Sequence, residues 1–281
     1  MRHFLVTTNG QKDPDFQCTE HIRIYLEEHG CSCAVQTGEQ IDVSCLQEIE
    51  CIIVLGGDGT MLRAARATAS LNIPLIGVNL GTMGYLAEVE NSNLDLALTR
   101  LIEDSYTRES RMMLTGQKWP AEQDTVKGNE KPYALNDVAI VRRGALQMIT
   151  FHIYVNGQLL NTYHADGILI ATPTGSTGYN LSAGGPIVEP RADIILLTPI
   201  CPHTLNTRTI ILAPEDTIVV EIAANNRGQQ QLVDACFDGS ERISLAVGDK
   251  LEIRRSAKRT VILKLSRESF LEVLHNKMNT N

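Results

Sequence analysis

The sequence predicts an α/β half built on a parallel sheet, followed by a predominantly β half, and three observations carry that reading. Short apolar runs alternate with helix-like stretches over the first 110 residues, the pattern of strands joined by crossover helices. From about Arg111 the helical stretches give way to a succession of short β-rich runs. Between two of these, Asn156-Gly157 supplies the two residues that accept the positive φ of a type I′ hairpin turn.

Taken in order, His3 to Val6 reads as the first strand and the amphipathic Thr19 to His29 as a helix closed by Gly30. Cys51 to Leu55 reads as a strand, Thr60 to Ser70 as a helix and Leu75 to Val78 as a strand. A helix from about Asn93 to Asp104, with Leu94, Ala97, Leu98, Leu101 and Ile102 on one stripe, closes this half. Ligands of such sheets lie beyond the carboxyl ends of the strands, so the residues after Leu55 or Val78 are well placed to bind something.

In the second half the β runs are Ala134 to Val141, Ile149 to Val155, Ile168 to Ala171, Ile194 to Leu197, Thr209 to Leu212, Thr217 to Ile222, Ile243 to Val247 and Val261 to Leu265. The charged stretch Lys118 to Lys131, with Pro120 and Gly128, reads as a loop, as does Gln229-Gln230-Gln231. Arg267 to Met278 places Phe270, Leu271 and Leu274 at helical spacing, a C-terminal helix suited to packing back on the first domain. The expected domains are residues 1–110, with about 266–281, and residues 111–265.

Composition excludes several classes of function. The 281 residues carry 25 Lys+Arg against 33 Asp+Glu, a net charge of −8, with 43% apolar and 21% charged residues. That acidic balance opposes a protein that coats nucleic acid or anionic membrane, since either needs a basic face. No apolar run approaches the roughly 18 residues of a spanning helix, and the opening MRHFLVTTNGQKD turns polar too soon for a secretory signal. We therefore expect a cytoplasmic protein. Seven irregularly spaced cysteines fit reduced thiols, and Cys31-x-Cys33 lacks the further ligands of a zinc site.

Two segments carry chemistry. Gly56-Gly57-Asp58-Gly59-Thr60 follows an apolar strand and precedes the helical Met61 to Ala65. Its glycines let backbone N–H groups approach phosphate oxygens, and the helix offers them its positive end. A carboxylate there repels phosphate unless it holds a magnesium ion or accepts a proton from an attacking hydroxyl. The competing reading is a tight turn with Asp58 as the helix N-cap. The chain has no Gly-x-x-x-x-Gly-Lys-Ser/Thr, no complete Gly-x-Gly-x-x-Gly and no His-Arg-Asp loop, which excludes a P-loop enzyme and a protein kinase.

The second segment runs from Ala165 to Pro186: an apolar strand, then a loop dense in hydroxyls and glycine. Thr174, Ser176, Thr177, Ser182 and Tyr179 can donate to ribose or phosphate oxygens, and Gly178 permits close backbone approach. Any one of them alone reads equally as an ordinary turn contact, but the cluster reads as a binding loop.

Together with Leu135-Asn136-Asp137, Leu197 to Leu205 and the tail around Ser269 to Leu274, these motifs resemble the ATP-NAD kinase family in order and spacing from Cys51 to the C-terminus. The resemblance implies a Rossmann-like α/β N-terminal domain and an all-β sandwich C-terminal domain, with the active site between them. It implies homodimers or homotetramers, ATP used with magnesium or another divalent cation, and phosphorylation of the adenosine ribose 2′-hydroxyl of NAD to give NADP.

Carried over residue by residue, Asp58 matches the proton acceptor and Gly59 the adjacent backbone contact. Asn136 and Asp137 match the pair that holds the NAD ribose, although Asn-Asp alone reads as a strand-end turn. Asp166 matches a nucleotide-contacting carboxylate, and His164 stands where relatives place a polar or positive contact; a half-exposed strand histidine is an equal reading. Thr174, Thr177, Gly178, Tyr179, Asn180, Leu181 and Ser182 match the adenine- and ribose-binding loop. Gly57, Thr60 and Arg63 are candidates for the ATP phosphates, Arg63 being equally a solvated helix residue. No side chain is assigned as a direct metal ligand.

The sequence departs from the family pattern in three places: Gly178 where many relatives have Ala, Asp137 where they have Glu, and Ser240 after Asp238-Gly239 where they have Gln. The first two changes preserve backbone and carboxylate contacts, whereas Ser240 reaches less far than Gln. Two other readings share parts of the pattern. Lipid kinases acting on diacylglycerol or sphingoid bases have the same glycine loop, but no basic amphipathic helix is evident here. A non-catalytic sensor of NAD or NADP would keep the pocket without the chemistry.

Overall fold

The computed structural model describes residues 1–8, 10–38, 41–81, 84–121, 131–144, 148–204, 207–224, 232–266 and 268–279. Most of the Lys118 to Lys131 stretch, the Gln229 to Gln231 run, Leu205 and Arg267 lie outside the described residues. The chain forms two compact units, Met1–Arg111 with Lys258–Asn281, and Met112–Ala257.

The first unit contains β1 (His3–Thr8), α1 (Gln17–Glu28), β2 (Ser32–Thr37), β3 (Cys51–Leu55), α2 (Asp58–Thr68), β4 (Leu75–Asn79), β5 (Val89–Glu90) and α3 (Leu94–Ile102). Strand β1 pairs in parallel with β2 (Val6 opposite Val35) and with β3 (Val6 opposite Ile53), and β3 pairs with β4 (Ile53 opposite Ile76). β5 extends the parallel set beside the end of β4, at Val78 and Val89. Every residue of β3 and β4 is buried, as expected for parallel strands covered on both faces. Ile22 and Leu26 of α1 and Leu94, Leu98 and Leu101 of α3 pack with Phe4, Val6, Ile53 and Leu55. α2 buries Met61, Ala64 and Ala65, and Met61 lies against Gly77 of β4.

β2 escapes sequence reading for a physical reason: among the described residues it pairs only with β1, leaves most of Ser32–Thr37 exposed and needs no apolar run. Because β2 and β3 flank β1 on opposite sides, the chain direction across the sheet switches at β1. The segments after β1 and β3 leave from that switch point, the usual ligand crevice of open parallel sheets.

The second unit contains β6 (Thr107–Trp119), β7 (Tyr133–Ala134), β8 (Asp137–Arg142), β9 (Ile149–Val155), β10 (Gln158–Ala165), β11 (Gly167–Ala171), α4 (Tyr179–Ser182), β12 (Ile195–Ile200), β13 (Ile210–Leu212), β14 (Ile218–Ala223), β15 (Val233–Phe237), β16 (Glu241–Leu245) and β17 (Lys250–Lys264). One antiparallel sheet runs β13-β12-β11-β8-β15-β16. The other joins β10, β9, β14 and β17, with β6 and β7 beside them. Their facing side chains form one core, with Phe151, Ile153, Ile218, Val220 and Ile253 from one sheet and Val138, Ile140, Ile168, Ile170, Leu197 and Phe237 from the other. This is a sandwich of two sheets. Asn156 (φ +50°) and Gly157 (φ +81°) make the hairpin between β9 and β10.

Strands β6 and β17 each carry the chain from one unit to the other. Both are longer than the sequence suggests. Their runs of Arg, Lys, Glu and Ser conceal 13 and 15 residues of strand, of which Val261 to Leu265 marks only the end. Within the first unit, Ile262 of β17 pairs in parallel with Leu75 of β4. The C-terminal helix α5 (Phe270–Asn279) belongs to this unit, where the Lys277 ammonium stands 4.1 Å from the centre of the Tyr85 ring. Among the described residues, no helix is long and apolar enough to cross a membrane.

Candidate functional site

In the first unit the site is built on the turn from β3 into α2. Gly56 adopts φ +152°, and a Cβ there would stand 2.5 Å from the Thr60 hydroxyl, so glycine is required for Thr60 to close the turn. Gly57 is the N-cap and supplies no side chain. The Asp58 side chain does not cap the helix. It reaches across to the backbone of Tyr85 and Leu86, whose N–H groups donate to Oδ2 at 2.8 Å and Oδ1 at 3.0 Å. Gly84 makes this possible, because a Cβ there would lie 1.9 Å from Asp58 Oδ1. Each carboxylate oxygen keeps one further lone pair for another partner. Gly59 faces open space, so no packing in the described residues demands glycine there.

In the second unit the start of β8, the end of β11 and the end of β15 meet at one end of the strands of the six-stranded sheet: Asp137 is opposite Ala171, and Val138 is opposite Phe237. Asp238, at φ +47° in the turn after β15, accepts the N–H groups of Leu135 (2.9 Å), Asn136 (2.8 Å) and Asp137 (3.2 Å). Thr172 binds the same segment from the other side, its N–H donating to Asn136 O and its hydroxyl to Leu135 O. Gly175 lies so close that a Cβ would be 2.2 Å from Asn136 O. Among the described residues, these clamps leave two polar groups with no hydrogen-bond donor. Asn136 Oδ1 is buried with no hydrogen-bond donor. The Asp137 carboxyl is 6% exposed, and burial, followed by the nearby Asp238 charge, pushes it up to about 7.

Beyond Ala171 the chain makes a turn at Thr174–Thr177 and then α4. Ala183, just past α4, packs on Ala139, Leu169 and Ile200, the side of the sheet away from the core. Asn180 holds this cover in place: it is fully buried, accepts from Thr198 Oγ1 at 2.7 Å and donates to Pro186 O at 3.0 Å. Thr177 and Gly178 are half-buried, whereas Tyr179, Leu181 and Ser182 are exposed. Asp166, at the other end of β11 and about 16 Å away at 3.3 Å per residue, pairs with Arg142 at 2.9 Å. Burial raises the Tyr179 phenol, and the charges of Cys201, Asp137 and Asp166 add to the effect, so the ring lies within the influence of both ends of β11.

The N-terminal domain of the ATP-NAD kinases matches residues 6–106, and their C-terminal domain matches residues 135–265. The NAD kinase of Agathobacter rectalis is 46% identical over 286 residues, covering 99% of both chains. That of Caldanaerobacter subterraneus subsp. tengcongensis is 36% identical over 288 residues, again covering 99% of both. An NAD kinase from Archaeoglobus fulgidus, solved in complex with ATP, aligns with a TM-score of 0.75 at 26% identity over the whole of both chains. Yeast NADH kinase shares the fold, with a TM-score of 0.88 at 21% identity, covering 100% of this chain and 88% of the other. The chain belongs to the ATP-NAD kinase family.

Of the residues expected from the ATP-NAD kinase resemblance, Gly57, Asp58, Gly59 and Thr60 lie together in the first unit, with half-buried Arg63 one turn further along α2. Asn136, Asp137, Thr174, Thr177 and Gly178 gather at one end of the central strands of the second, where a Cβ on Gly178 would be 3.4 Å from Asn136 Nδ2. His164 is exposed, with Nδ1 3.0 Å from the Thr150 hydroxyl. Asn180 differs from its neighbours: its amide is engaged inside the loop, so only its backbone remains for a ligand. Ser240 is exposed in the turn after β15, with its N–H on Phe237 O. Sequence reasoning missed Gly84 and the clamping roles of Thr172 and Asp238. Asp238-Gly239 is a hairpin signal in its own right, whereas nothing near Gly84 announces its partner 26 residues earlier.

Proposed function

We propose that the chain transfers the γ-phosphoryl group of ATP to the adenosine ribose 2′-hydroxyl of NAD. The observation that carries this reading is the Asp58 carboxylate, fixed by the N–H groups of Tyr85 and Leu86 at the head of an uncapped helix. A bond forms between the 2′-oxygen and Pγ while the bond from Pγ to the β,γ-bridging oxygen breaks. The hydroxyl proton passes to Asp58, and ADP leaves with the bridging oxygen. Such transfer depends mainly on positioning and charge neutralisation, so an oriented carboxylate matters more than a strongly basic one.

The second unit supplies recognition in this reading. The free Asn136 Oδ1 and the Asp137 carboxyl can accept from vicinal ribose hydroxyls, and the Thr174 to Ser182 loop takes the adenosine. His164 and Asp166 serve the far end of an extended dinucleotide. No group of three His, Cys, Asp or Glu side chains among the described residues is arranged to hold a metal. Mg²⁺ carried on the triphosphate would offset phosphate charge at the glycine turn. We further read the enzyme as a homodimer or homotetramer, which the family resemblance supports and light scattering will test.

The test is NADP formation from NAD, ATP and Mg²⁺. We expect turnover by the native chain, and a loss of about 10²- to 10⁴-fold in Asp58→Asn. Undiminished activity in that variant would remove Asp58 from the chemistry. NADP binding without turnover would instead make the chain a sensor.

A further inference from the structure

Lys12 belongs to neither motif, yet the fold brings it to the glycine turn. It lies between β1 and α1, in the segment that leaves the sheet at the switch point. Its ammonium stands 3.2 Å from where a Cβ on Gly57 would be, so it rests against the turn that α2 leaves uncapped. Among the described residues it has no hydrogen bond or ion pair.

Both nearby carboxylates have other partners. Asp13, next in sequence, accepts the N–H groups of Cys18 (3.0 Å) and Thr19 (2.9 Å) and the Thr19 hydroxyl (2.6 Å), which satisfies the start of α1. Asp58, across the turn, is held by Tyr85 and Leu86. An ammonium beside unblocked backbone amides, with both acids engaged elsewhere, is matched to an anion rather than to a protein carboxylate. Lys12 also lines an open cleft of about 810 Å³ in this unit, whose other walls include Asn79, Gly81, Asn91 and Asn93. Among the described residues no other lysine or arginine lines it, and the second acid of its wall, Asp95, is 2.6 Å from His21 Nε2.

We propose that Lys12 binds the phosphate chain of the phosphoryl donor at the Gly57–Gly59 turn and neutralises charge on the group being transferred. This inference rests on the kinase reading above. Lys12 supplies the point charge, while the turn supplies N–H groups that fix the phosphate's orientation.

The experiment compares the full chain with Lys12→Met and Lys12→Arg. Steady-state NADP formation is measured with ATP and NAD varied in turn, alongside calorimetric binding of inorganic tripolyphosphate without NAD. Lys12→Met should lower kcat/KM for ATP about 10- to 100-fold, weaken tripolyphosphate binding similarly, and leave the KM for NAD and the Tm unchanged. Lys12→Arg should recover most of the loss. Unchanged kcat/KM for ATP in Lys12→Met would overturn the assignment, as would equal losses toward ATP and NAD with a lowered Tm. If the native chain makes no NADP, the kinase reading fails. Tripolyphosphate binding lost in Lys12→Met then still upholds the anion site, and binding unaffected by the variant removes it.

Discussion

The aspartates of the two units receive opposite treatment from the backbone. Asp58 is oriented by two N–H groups delivered from a distant segment, and its remaining lone pairs stay available. In the second unit Asp238 takes three N–H groups, while its neighbour Asp137 receives none among the described residues and is pushed up to about 7 by burial. Amide donors therefore divide the carboxylates into one that is aimed, one that clamps and one held in reserve. A ligand that donates hydroxyl groups has most to offer the third, because it supplies the donors the protein withholds.

The comparison is broken most forcefully at Gly84, which touches no substrate in our reading. Gly84→Ala places a Cβ 1.9 Å from Asp58 Oδ1 in the present geometry, so the carboxylate or the Tyr85 backbone must move. Displacement of about 1 Å at a reacting group costs on the order of 10²-fold. We expect kcat for NADP formation to fall by about that factor with tripolyphosphate binding retained, as measured by steady-state kinetics and calorimetry. Full activity in Gly84→Ala would show that the amide clamp on Asp58 is dispensable.

Asp137 sharpens the comparison through pH. An unfolded Asp ionises near 3.9, whereas the folded carboxyl is pushed up to about 7. Between these values the folded chain holds a proton that the unfolded chain has lost. The associated stability is therefore complete below about pH 4 and disappears as pH rises through about 7. Asp137→Asn should raise the Tm at pH 8 and raise it less at pH 5. NAD hydroxyls favour the ionised form, so NAD binding by the native chain should weaken as pH falls from 8 to 5.5, while Asp137→Asn binds weakly at both. The groups whose charges act with Asp137 are Asp238, Tyr179 and Cys236, each of which disfavours its ionisation or is disfavoured by it. A flat binding profile for the native chain would assign Asp137 another role.

What the sequence made legible follows from how local each signal is. Strands β3 and β4 announce themselves because burial on both faces demands an unbroken apolar run, and the β9–β10 hairpin because Asn156-Gly157 meets a local φ requirement. β2, β6 and β17 are hidden: one is an exposed edge, and the others carry runs of charged and polar residues over lengths unusual for strands. In the candidate site, the glycine turn and the hydroxyl loop are contiguous and visible. The amides that orient Asp58 come from Tyr85 and Leu86, and those that anchor Asp238 from residues about a hundred positions earlier. Lys12 reaches Gly57 only because two parallel strands are neighbours. No spacing rule in the sequence encodes these meetings.

The finest distinction concerns two glycines of one loop. A Cβ at Gly178 would meet Asn136 Nδ2 and Gly175 O at 3.4 Å, ordinary contact distance, so Gly178→Ala should change the KM for NAD by no more than about twofold. A Cβ at Gly175 would be 2.2 Å from Asn136 O, a backbone atom that accepts from the Thr172 N–H, in a residue whose own N–H is anchored on Asp238, and so unable to yield. Gly175→Ala should therefore raise the KM for NAD and lower the Tm together. The two alanines add the same methyl group only three residues apart, so equal effects in kinetics and thermal unfolding would show that the clamp on Asn136 does not govern the loop. Unequal effects in the expected direction would place the rigidity at Asn136 rather than in the hydroxyls that make the loop conspicuous.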